Sequence, residues 1–459
     1  MQVKASSSRE GADLLIAARW LLPIAPENVA LSDHAVVVTG GRIVAVGESA
    51  DLEARFEPRE RIFRPNHVLM PGLVNAHTRA SVTLLRGLPV YAPVMRWMRE
   101  TLAPAELRCV TPDFVRDGTA LAIADMLRAG ITTFSGSDLF PDEAARAAAE
   151  ARVRMAVGLP VSETGSAWAE DTTAHFVRAE RLWDEYKSSP WVSLYFALPP
   201  SYEIGDRLLT HLRSVADEID ARVAMPVHET EIEVRDTLSQ HGCRPLRRLA
   251  DQGLLRPGFT ALHMNRLDAA DIELAQRTGI AAVACPQSNL RLASGVTPVG
   301  ALAARGVTVG LGTGLPIAAG AIDVLAEAKL AAQLHAQGDL ARNRDDDAAA
   351  DVTPPTSAFW LGLATLGGAV TLGLGHTCGS LEVGKAADMI CIDLESLASR
   401  PQASVADAVL YSATRGEVSD VWVGGRAAVA EGQLLAFDER ELQRLAGEWS
   451  QRIERGLAG

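Results

Sequence analysis

The distribution of apolar residues changes twice along the chain. Near the N-terminus, two short apolar runs at 35–38 and 43–46 are joined by Gly40-Gly41, a pattern that predicts a β-hairpin. From about residue 69, short apolar runs alternate with stretches that carry helix signals. Strand-like runs return at 389–392 and 421–423. We therefore expect β-structure at both chain ends and alternating strands and helices between them.

Eight apolar runs in the central region have the length of buried strands. The helix signals between them are illustrated by Thr111-Pro112, a good N-cap followed by proline at the first helical position, and by Gly130 at the end of that stretch. Strands that alternate with helices in this way are typical of a (β/α)₈ barrel. The eight runs are Leu69–Ala76, Ile131–Phe134, Val153–Leu159, Val192–Leu198, Val223–His228, Phe259–His263, Ile280–Cys285 and Val307–Leu311.

The predicted fold class is α/β, with two structural units. A (β/α)₈ TIM-like barrel is expected over residues 69–377. The simplest arrangement for the remaining strands folds both chain ends together, so residues 1–68 and 378–459 are expected to form one small β-sandwich.

Composition and charge argue against some classes of binding partner. The 459 residues include 44 Lys and Arg against 57 Asp and Glu, a net charge of −13, which argues against a nucleic-acid-binding surface. The longest apolar runs are far shorter than the ~20 residues of a membrane helix. Residues 1–13 lack the apolar core of a signal peptide, and the five cysteines are widely spaced. We expect a cytoplasmic protein with reduced thiols and no nucleic-acid or membrane partner.

Residues able to do chemistry lie at the predicted strand ends, where barrels of this kind build their sites. His77 directly follows the first run. His228 ends the fifth run and Glu229 follows it, and His263 ends the sixth. The eighth run is followed by Gly312-Thr313-Gly314.

Four motifs carry a resemblance to a known family that covers nearly the whole chain. The sequence resembles the amidohydrolase superfamily, and within it the aminohydrolases that deaminate S-adenosylhomocysteine and methylthioadenosine or dechlorinate triazines. The resemblance implies the same barrel with a β-sandwich made from both chain ends. The motifs are Met70–Thr78 (MPGLVNAHT), Leu84–Gly87 (LLRG), Cys285–Gly295 (CPQSNLRLASG) and Gly379–Asp388 (GSLEVGKAAD).

The resemblance also implies a divalent metal, usually zinc or iron, that activates a water for attack on a ring carbon. The family's ligands are an H-x-H pair after strand one, a histidine on strand five and an aspartate after strand eight. A strand-five glutamate and a strand-six histidine move protons. Carried over to this chain, the first ligand is His77 and the proton carriers are Glu229 and His263. The other three ligand positions hold Arg79, Pro226 and Gly314.

Three of the four ligand positions therefore hold side chains that cannot ligate a metal. Proline and glycine offer no donor atom, and arginine is a permanent cation. A unit charge about 4 Å from another like charge costs about 4 kcal/mol even at an effective dielectric near 20. Since zinc sites need three or four protein ligands, we expect no cofactor. Zinc or iron is expected only if the site is relocated to His77, His228, His263 and Glu229.

Several of the candidate residues have two possible roles. His77 is either a residual ligand or proton carrier, or a histidine kept for packing. Arg79 either pairs with Glu229 or binds an anionic ligand in place of the metal. Candidate binding residues are Arg79, Arg86, His228 and Asn289. Glu229 and His263 are candidate catalytic residues, vestigial or ligand-binding.

The favoured function is that of a catalytically inactive or altered family member that binds a ligand or acts in assembly. It would take a small heterocyclic or anionic ligand and form a homo-oligomer or associate with an active paralogue. One alternative is a hydrolase that acts on C–N bonds of a purine- or triazine-like ring through a relocated metal. The other is a metal-independent enzyme that uses Arg79 with Glu229 or His263.

Overall fold

The computed structural model describes residues 9–91, 94–342 and 355–458. The strands within these ranges form two sheets, as expected from the pattern of apolar runs. In chain order they are β1 (Glu10–Leu21), β2 (Leu31–Ser32), β3 (His34–Thr39), β4 (Arg42–Glu48), β5 (Phe56–Pro71), β6 (Leu73–Thr78), β7 (Ile131–Gly136), β8 (Arg154–Pro160), β9 (Val192–Ala197), β10 (Arg222–Val227), β11 (Phe259–His263), β12 (Ala281–Ala284), β13 (Thr308–Leu311), β14 (Met389–Asp393), β15 (Val418–Val423), β16 (Arg426–Ala430) and β17 (Gln433–Leu434).

Strands β6 to β13 form the barrel. They pair in sequence order, and each pair is parallel, because a helix-containing segment returns the chain to the same end after each strand. A parallel bridge between Thr78 and Gly314 joins the first strand to the end of the last. The prediction of eight barrel strands is thus confirmed, except that the first predicted run divides: Leu69–Pro71 ends β5 of the second sheet, and the barrel strand begins at Leu73.

The second sheet is mixed and takes strands from both ends of the chain. Its order is β17-β16-β15-β14-β5-β1-β3-β4, with β2 beside β1. Strand β5 pairs in parallel with β1 and antiparallel with β14, which joins the N-terminal strands to the C-terminal ones. The predicted hairpin is β3–β4, and its turn residues Gly40 and Gly41 have φ of 58° and 75°. The predicted residue bounds of the two units stay predictions.

Most of the helices follow the barrel strands, and one long helix lies at the C-terminal end of the described chain. The predicted start of one helix is confirmed, because the Thr111 side chain accepts a hydrogen bond from the Phe114 amide. The helices are α1 (Ser49–Arg55), α2 (Val94–Trp97), α3 (Ala103–Cys109), α4 (Pro112–Arg128), α5 (Pro141–Ala151), α6 (Thr172–Tyr186), α7 (Asp206–Glu218), α8 (Glu231–His241), α9 (Pro245–Asp251), α10 (Ala269–Thr278), α11 (Pro286–Arg291), α12 (Val299–Ala304), α13 (Pro316–Ala319), α14 (Val324–Arg342), α15 (Ser357–Gly362), α16 (Gly368–Thr371), α17 (Val405–Asp407) and α18 (Glu439–Ala458).

Short 3₁₀ and π segments connect these elements. The 3₁₀ segments are Ala80–Leu85, Ser201–Glu203, Leu397–Ser399 and Arg415–Glu417, and the π segments are Met98–Leu102, Leu363–Gly367 and Ala408–Ser412. None of the described helices is both long enough and apolar enough to cross a lipid bilayer. The cytoplasmic location stays a prediction.

Candidate functional site

A pocket of about 150 Å³ opens at the C-terminal ends of the barrel strands. We call it the mouth pocket. The structure brings together there six of the residues that the sequence singled out, from four different strands. They are His77, Arg79, Pro226, Glu229, His263 and Gly314.

His77 is the penultimate residue of β6 and is 8% exposed. Its ring meets the His263 ring edge to face, with 5.7 Å between centroids, and its Nδ1 has no hydrogen-bond partner among the described residues. Burial, together with the nearby His263 and Arg79, lowers the pKa of His77 to about 3. At neutral pH His77 is therefore an uncharged imidazole with a free ring nitrogen.

A chain of side-chain amides fixes the orientation of His263. The Asn289 side-chain carbonyl lies 2.8 Å from His263 Nδ1, and the Asn289 amide nitrogen donates to Asn265 Oδ1 at 2.8 Å. The Thr297 hydroxyl also donates to Asn265 Oδ1. Because the Asn289 carbonyl can only accept from the ring, Nδ1 carries a proton, and in the neutral ring Nε2 keeps its lone pair. That Nε2 lies 3.9 Å from Glu229 Oε1.

The Arg79 guanidinium forms an ion pair with Glu106 of α3, with 2.7 Å between Nη1 and Oε1. The expected pairing with Glu229 is therefore wrong: the side chain turns toward α3, while the Arg79 amide donates to the Gly314 carbonyl. Burial alone would lower the pKa of Arg79, but Glu106 and Asp138 raise it. The cation of the mouth pocket thus already has a carboxylate partner.

Pro226 and Gly314 suit the backbone that holds them. Pro226 faces the mouth pocket, and the ladder between β9 and β10 ends two residues earlier at Ala224, so the missing N–H breaks no strand hydrogen bond. Gly314 has φ of +60°, and a Cβ there would lie 3.0 Å from the Ser288 side chain. Neither residue offers a side-chain donor atom to the pocket.

His228 does not line the mouth pocket, which corrects the expectation that it binds a ligand or a relocated metal there. Its φ of +56° breaks the strand alternation, and its side chain is fully buried behind the wall. There its Nε2 accepts from the Leu246 amide at 3.2 Å, and its Nδ1 lies 3.1 Å from the Arg266 carbonyl. Burial lowers the pKa of His228 to about 4. A relocated metal site that includes His228 is not supported.

Arg86 is also placed away from the mouth pocket. Its guanidinium lies 2.5 Å from a carboxylate oxygen of Asp125, which also binds Arg415 at 2.5 Å. The expectation that Arg86 binds a ligand is corrected by this ion-pair network, which ties α4 to the C-terminal region. Asn289, in contrast, does adjoin the pocket through His263.

Two acidic residues at the site were missed from the sequence. Glu106 lies on a helix far from any strand end, and no motif marks it. Asp138 comes two residues after β7, a strand-end position that could have drawn attention. It accepts a hydrogen bond from the Ser81 amide at 3.2 Å, and burial raises its pKa.

The chain is similar in sequence to a known family and to individual members of it. The chain matches the model of the "Amidohydrolase family" over residues 68–428, and that of an imidazolonepropionase-like composite domain of bacteria over residues 35–56. It is 34% identical to a 5-methylthioadenosine/S-adenosylhomocysteine deaminase of Teredinibacter turnerae, covering 96% of this chain and 98% of that protein. It is 33% identical to the protein of the same name from Saccharophagus degradans, covering 98% of each.

The chain is also similar in fold to solved structures. An adenosine deaminase from Xanthomonas campestris with bound zinc is 39% identical, with a TM-score of 0.93, covering 98% of this chain and 100% of that one. An atrazine chlorohydrolase from Arthrobacter aurescens complexed with zinc shares the fold at 20% identity and a TM-score of 0.85, covering 95% of this chain and 100% of that one.

The zinc bound by the 39% identical adenosine deaminase corrects the expectation that no cofactor belongs to this protein, since it points to a metal cofactor. The side chains of the mouth pocket do not fit that metal. Across the described ranges, no group of three or more His, Cys, Asp and Glu side chains is placed to hold an ion. Arg79 puts a guanidinium at one ligand position. The residues and the comparisons therefore disagree, and we assign no chemical step to a metal.

Proposed function

The chain belongs to the amidohydrolase family, and from this premise we propose that its mouth pocket binds a small amino-bearing heterocycle while the hydrolytic reaction is lost. The observation that carries the binding half is the pair of acceptors formed by His263 Nε2 and Glu229 Oε1, 3.9 Å apart. A planar NH₂ group has two hydrogens and can donate one to each acceptor.

The charge of the mouth pocket supports an uncharged ligand. Arg79 is paired with Glu106, and Asp138 lies near enough to raise the pKa of Arg79. His77 is neutral at physiological pH because burial lowers its pKa to about 3. Among the described residues that line the pocket, an anion would therefore meet no unpaired cation, which favours the heterocyclic ligand over the anionic one.

The remaining walls suit a flat ring. Apolar side chains from the segment above the barrel and from the strand ends surround the acceptor pair, so a ring can be buried while its polar edge is satisfied. These residues are Val94, Met95, Met98, Leu198, Leu292 and Leu315.

The residues around the acceptor pair support the proposed loss of hydrolysis. Glu229 and His263 are able to transfer protons. Hydrolysis also needs a water molecule that is held and activated for attack. At the three positions beside them the chain has a neutralised guanidinium, a proline ring and a glycine. The relatives are named for deamination, and the amino group that such a reaction removes is the group that this pocket would hold.

The test combines binding with turnover. Methylthioadenosine, S-adenosylhomocysteine and adenosine are titrated calorimetrically, and ammonia release is followed with zinc supplied and with zinc removed. We expect saturable binding of at least one nucleoside and no ammonia in either condition. Glu229→Leu should abolish the binding, while Glu150→Leu, an exposed matched change, should not.

Two results would overturn the proposal. Ammonia release with supplied zinc, at a turnover near the ~10 s⁻¹ of an ordinary enzyme, would show that hydrolysis is intact. If none of the three nucleosides binds, or if Glu229→Leu binds them as tightly as the natural chain, the proposed ligand is wrong.

A further inference from the structure

A second cavity, of about 350 Å³, opens at the opposite end of the barrel. We call it the basal cavity. It lies at the N-terminal ends of β9, β10 and β11 and is bounded by the C-terminal end of α6 and by the turn 371–374. Tyr195, Ala224 and Leu262 line both this cavity and the mouth pocket, so one layer of side chains separates the two.

The basal cavity contains a cation without a carboxylate partner. Arg222, the first residue of β10, donates from Nη2 to the Thr371 carbonyl at 2.6 Å. Among the residues that the structure describes, no carboxylate lies within ion-pair distance of its guanidinium. Burial lowers the pKa of Arg222, and Arg256 nearby lowers it further, while Asp220 on the exposed rim opposes both effects. A partly buried guanidinium without a carboxylate partner can form charge-assisted, bidentate hydrogen bonds with a carboxylate that enters the cavity.

The backbone around Arg222 is shaped to hold its side chain. Gly373 has φ of +77°, and a Cβ there would lie 3.0 Å from Arg222 Cδ and 3.2 Å from Nη1. The Thr260 hydroxyl donates to the same Thr371 carbonyl at 3.2 Å, which anchors the turn to β11. The guanidinium is thus held in place before any ligand binds, which reduces the entropy lost on binding.

The inner part of the basal cavity is mostly apolar, and the hydroxyls of Ser135 and Tyr195 that also line it are hydrogen-bonded to each other at 3.0 Å. TIM barrels usually fill this region with bulky branched side chains, but here the inward positions include Ala76, Ala156 and Ala224. Leu262 and Leu372 complete the apolar wall. A ligand bound through its charge at Arg222 would therefore extend a short hydrocarbon body into the barrel.

We propose that the basal cavity is a binding site for a small monocarboxylate with a short apolar chain. The carboxylate pairs with Arg222, and the chain lies against the alanines of the barrel interior. The Asp220 carboxylate at the rim repels a doubly charged phosphate more strongly than a singly charged carboxylate. The cavity therefore favours a carboxylate over a phosphate. Lys187, also on the rim, is already paired with Asp184.

The test uses hexanoate as the probe, titrated into the full-length protein at low ionic strength and followed by calorimetry. We expect saturable binding with one site, weakening about fourfold for each CH₂ removed toward acetate. Hexylamine has the same chain with the opposite charge and should not bind. Arg222→Met should weaken hexanoate binding by about tenfold or more.

The matched control is Arg213→Met. Arg213 is also half-buried and also donates to a backbone carbonyl, that of Gln252, but it does not line the basal cavity. Its replacement should leave hexanoate binding unchanged. Equal binding of hexylamine and hexanoate by the wild-type protein would overturn the proposal without any variant. So would the absence of saturable hexanoate binding, or equal losses in the two arginine variants.

Discussion

Arg79 and Glu106 form an ion pair across the edge of the mouth pocket, with 2.7 Å between Nη1 and Oε1. Arg79 follows the first barrel strand, and Glu106 lies on α3, so the pair ties the segment above the barrel to the barrel itself. Both side chains are only about a quarter exposed, at 26% and 23%. The ion pair therefore has a structural role at a position where the family has a metal ligand.

The first prediction concerns the stability of this pair. Arg79→Met leaves the half-buried Glu106 carboxylate without its partner and should lower the free energy of unfolding by about 2 kcal/mol. Glu106→Met should lower the free energy of unfolding by a similar amount, because it leaves the Arg79 guanidinium without its partner. The double variant should be destabilised by less than the sum, because it leaves no unpaired charge. Urea unfolding followed by tryptophan fluorescence measures all three, and strictly additive losses would show that the two residues do not interact.

The second prediction concerns the three replaced ligand positions. The combined variant R79H/P226H/G314D supplies three donors beside His77 and should bind zinc at least about 100-fold more tightly than the natural chain. Competition with a chromophoric chelator measures the affinity. The matched control, R79Q/P226Q/G314N, makes similar changes in size without strong metal donors and should gain little.

Each single reversion should have a small effect, because one added ligand leaves the ion with too few donors. Gly314→Asp carries an extra cost, since position 314 has φ of +60° and Ser288 stands 3.0 Å from where its Cβ would lie. A triple variant that folds and yet binds zinc no better than the control would show that the ligand positions are assigned incorrectly.

The third prediction concerns the proton on His263. Asn289 accepts from Nδ1 and so keeps the Nε2 lone pair toward Glu229. Asn289→Leu removes that acceptor and should shift the ring toward the Nε2–H tautomer, weakening nucleoside binding about tenfold. Asn289→Asp keeps an acceptor and should preserve the tautomer. Long-range ¹H–¹⁵N spectra of the ring report the tautomer directly, and an unchanged spectrum in the leucine variant would contradict the assignment.

The fourth prediction is a pH dependence of stability that comes from Glu327. Its carboxyl group accepts hydrogen bonds from the Gln287 amide at 2.9 Å and from the Gln287 side chain at 3.2 Å. Burial raises the pKa of Glu327 to about 8. The folded protein therefore holds a proton that the unfolded chain releases near the ordinary value of 4.5. This stabilising effect is complete below pH 4.5 and is lost as the pH rises toward about 8.

Glu327→Gln keeps an acceptor for Gln287 and has no proton to lose. The variant should therefore lose less stability than the natural chain as the pH rises from about 5 to about 8. Glu150→Gln, at an exposed position, serves as the control and should follow the natural chain. Urea midpoints across this pH range measure the difference, and parallel curves for all three proteins would rule out the buried proton.

The strand pattern could be predicted from the sequence because it depends on local periodicity. Eight buried runs with helices between them require parallel pairing, and the β-rich ends have only each other to pair with. The strand-end residues followed from this, since parallel strands present their C-terminal ends at one face. His77, Glu229 and His263 meet there for that reason.

Where a side chain points beyond a strand end could not be predicted, because backbone dihedrals there are not periodic. His228 has φ of +56°, which takes its side chain out of the regular alternation of a β-strand. Arg79 has a carboxylate on a helix as its partner, 27 residues along the chain. Such pairings depend on how separate elements pack, and a long flexible side chain can reach several partners.

The amino-acid sequence by itself determined the fold, the face of the barrel that carries the site and the identity of the residues at the family's ligand positions. Only the tertiary structure decided which carboxylate neutralises Arg79, which ring nitrogen of His263 faces Glu229 and that Arg222 stands unpaired in a basal cavity. The physical reason is range: hydrophobic periodicity acts between neighbours in sequence, whereas charge pairing and hydrogen-bond direction depend on distances that exist only after the chain has packed.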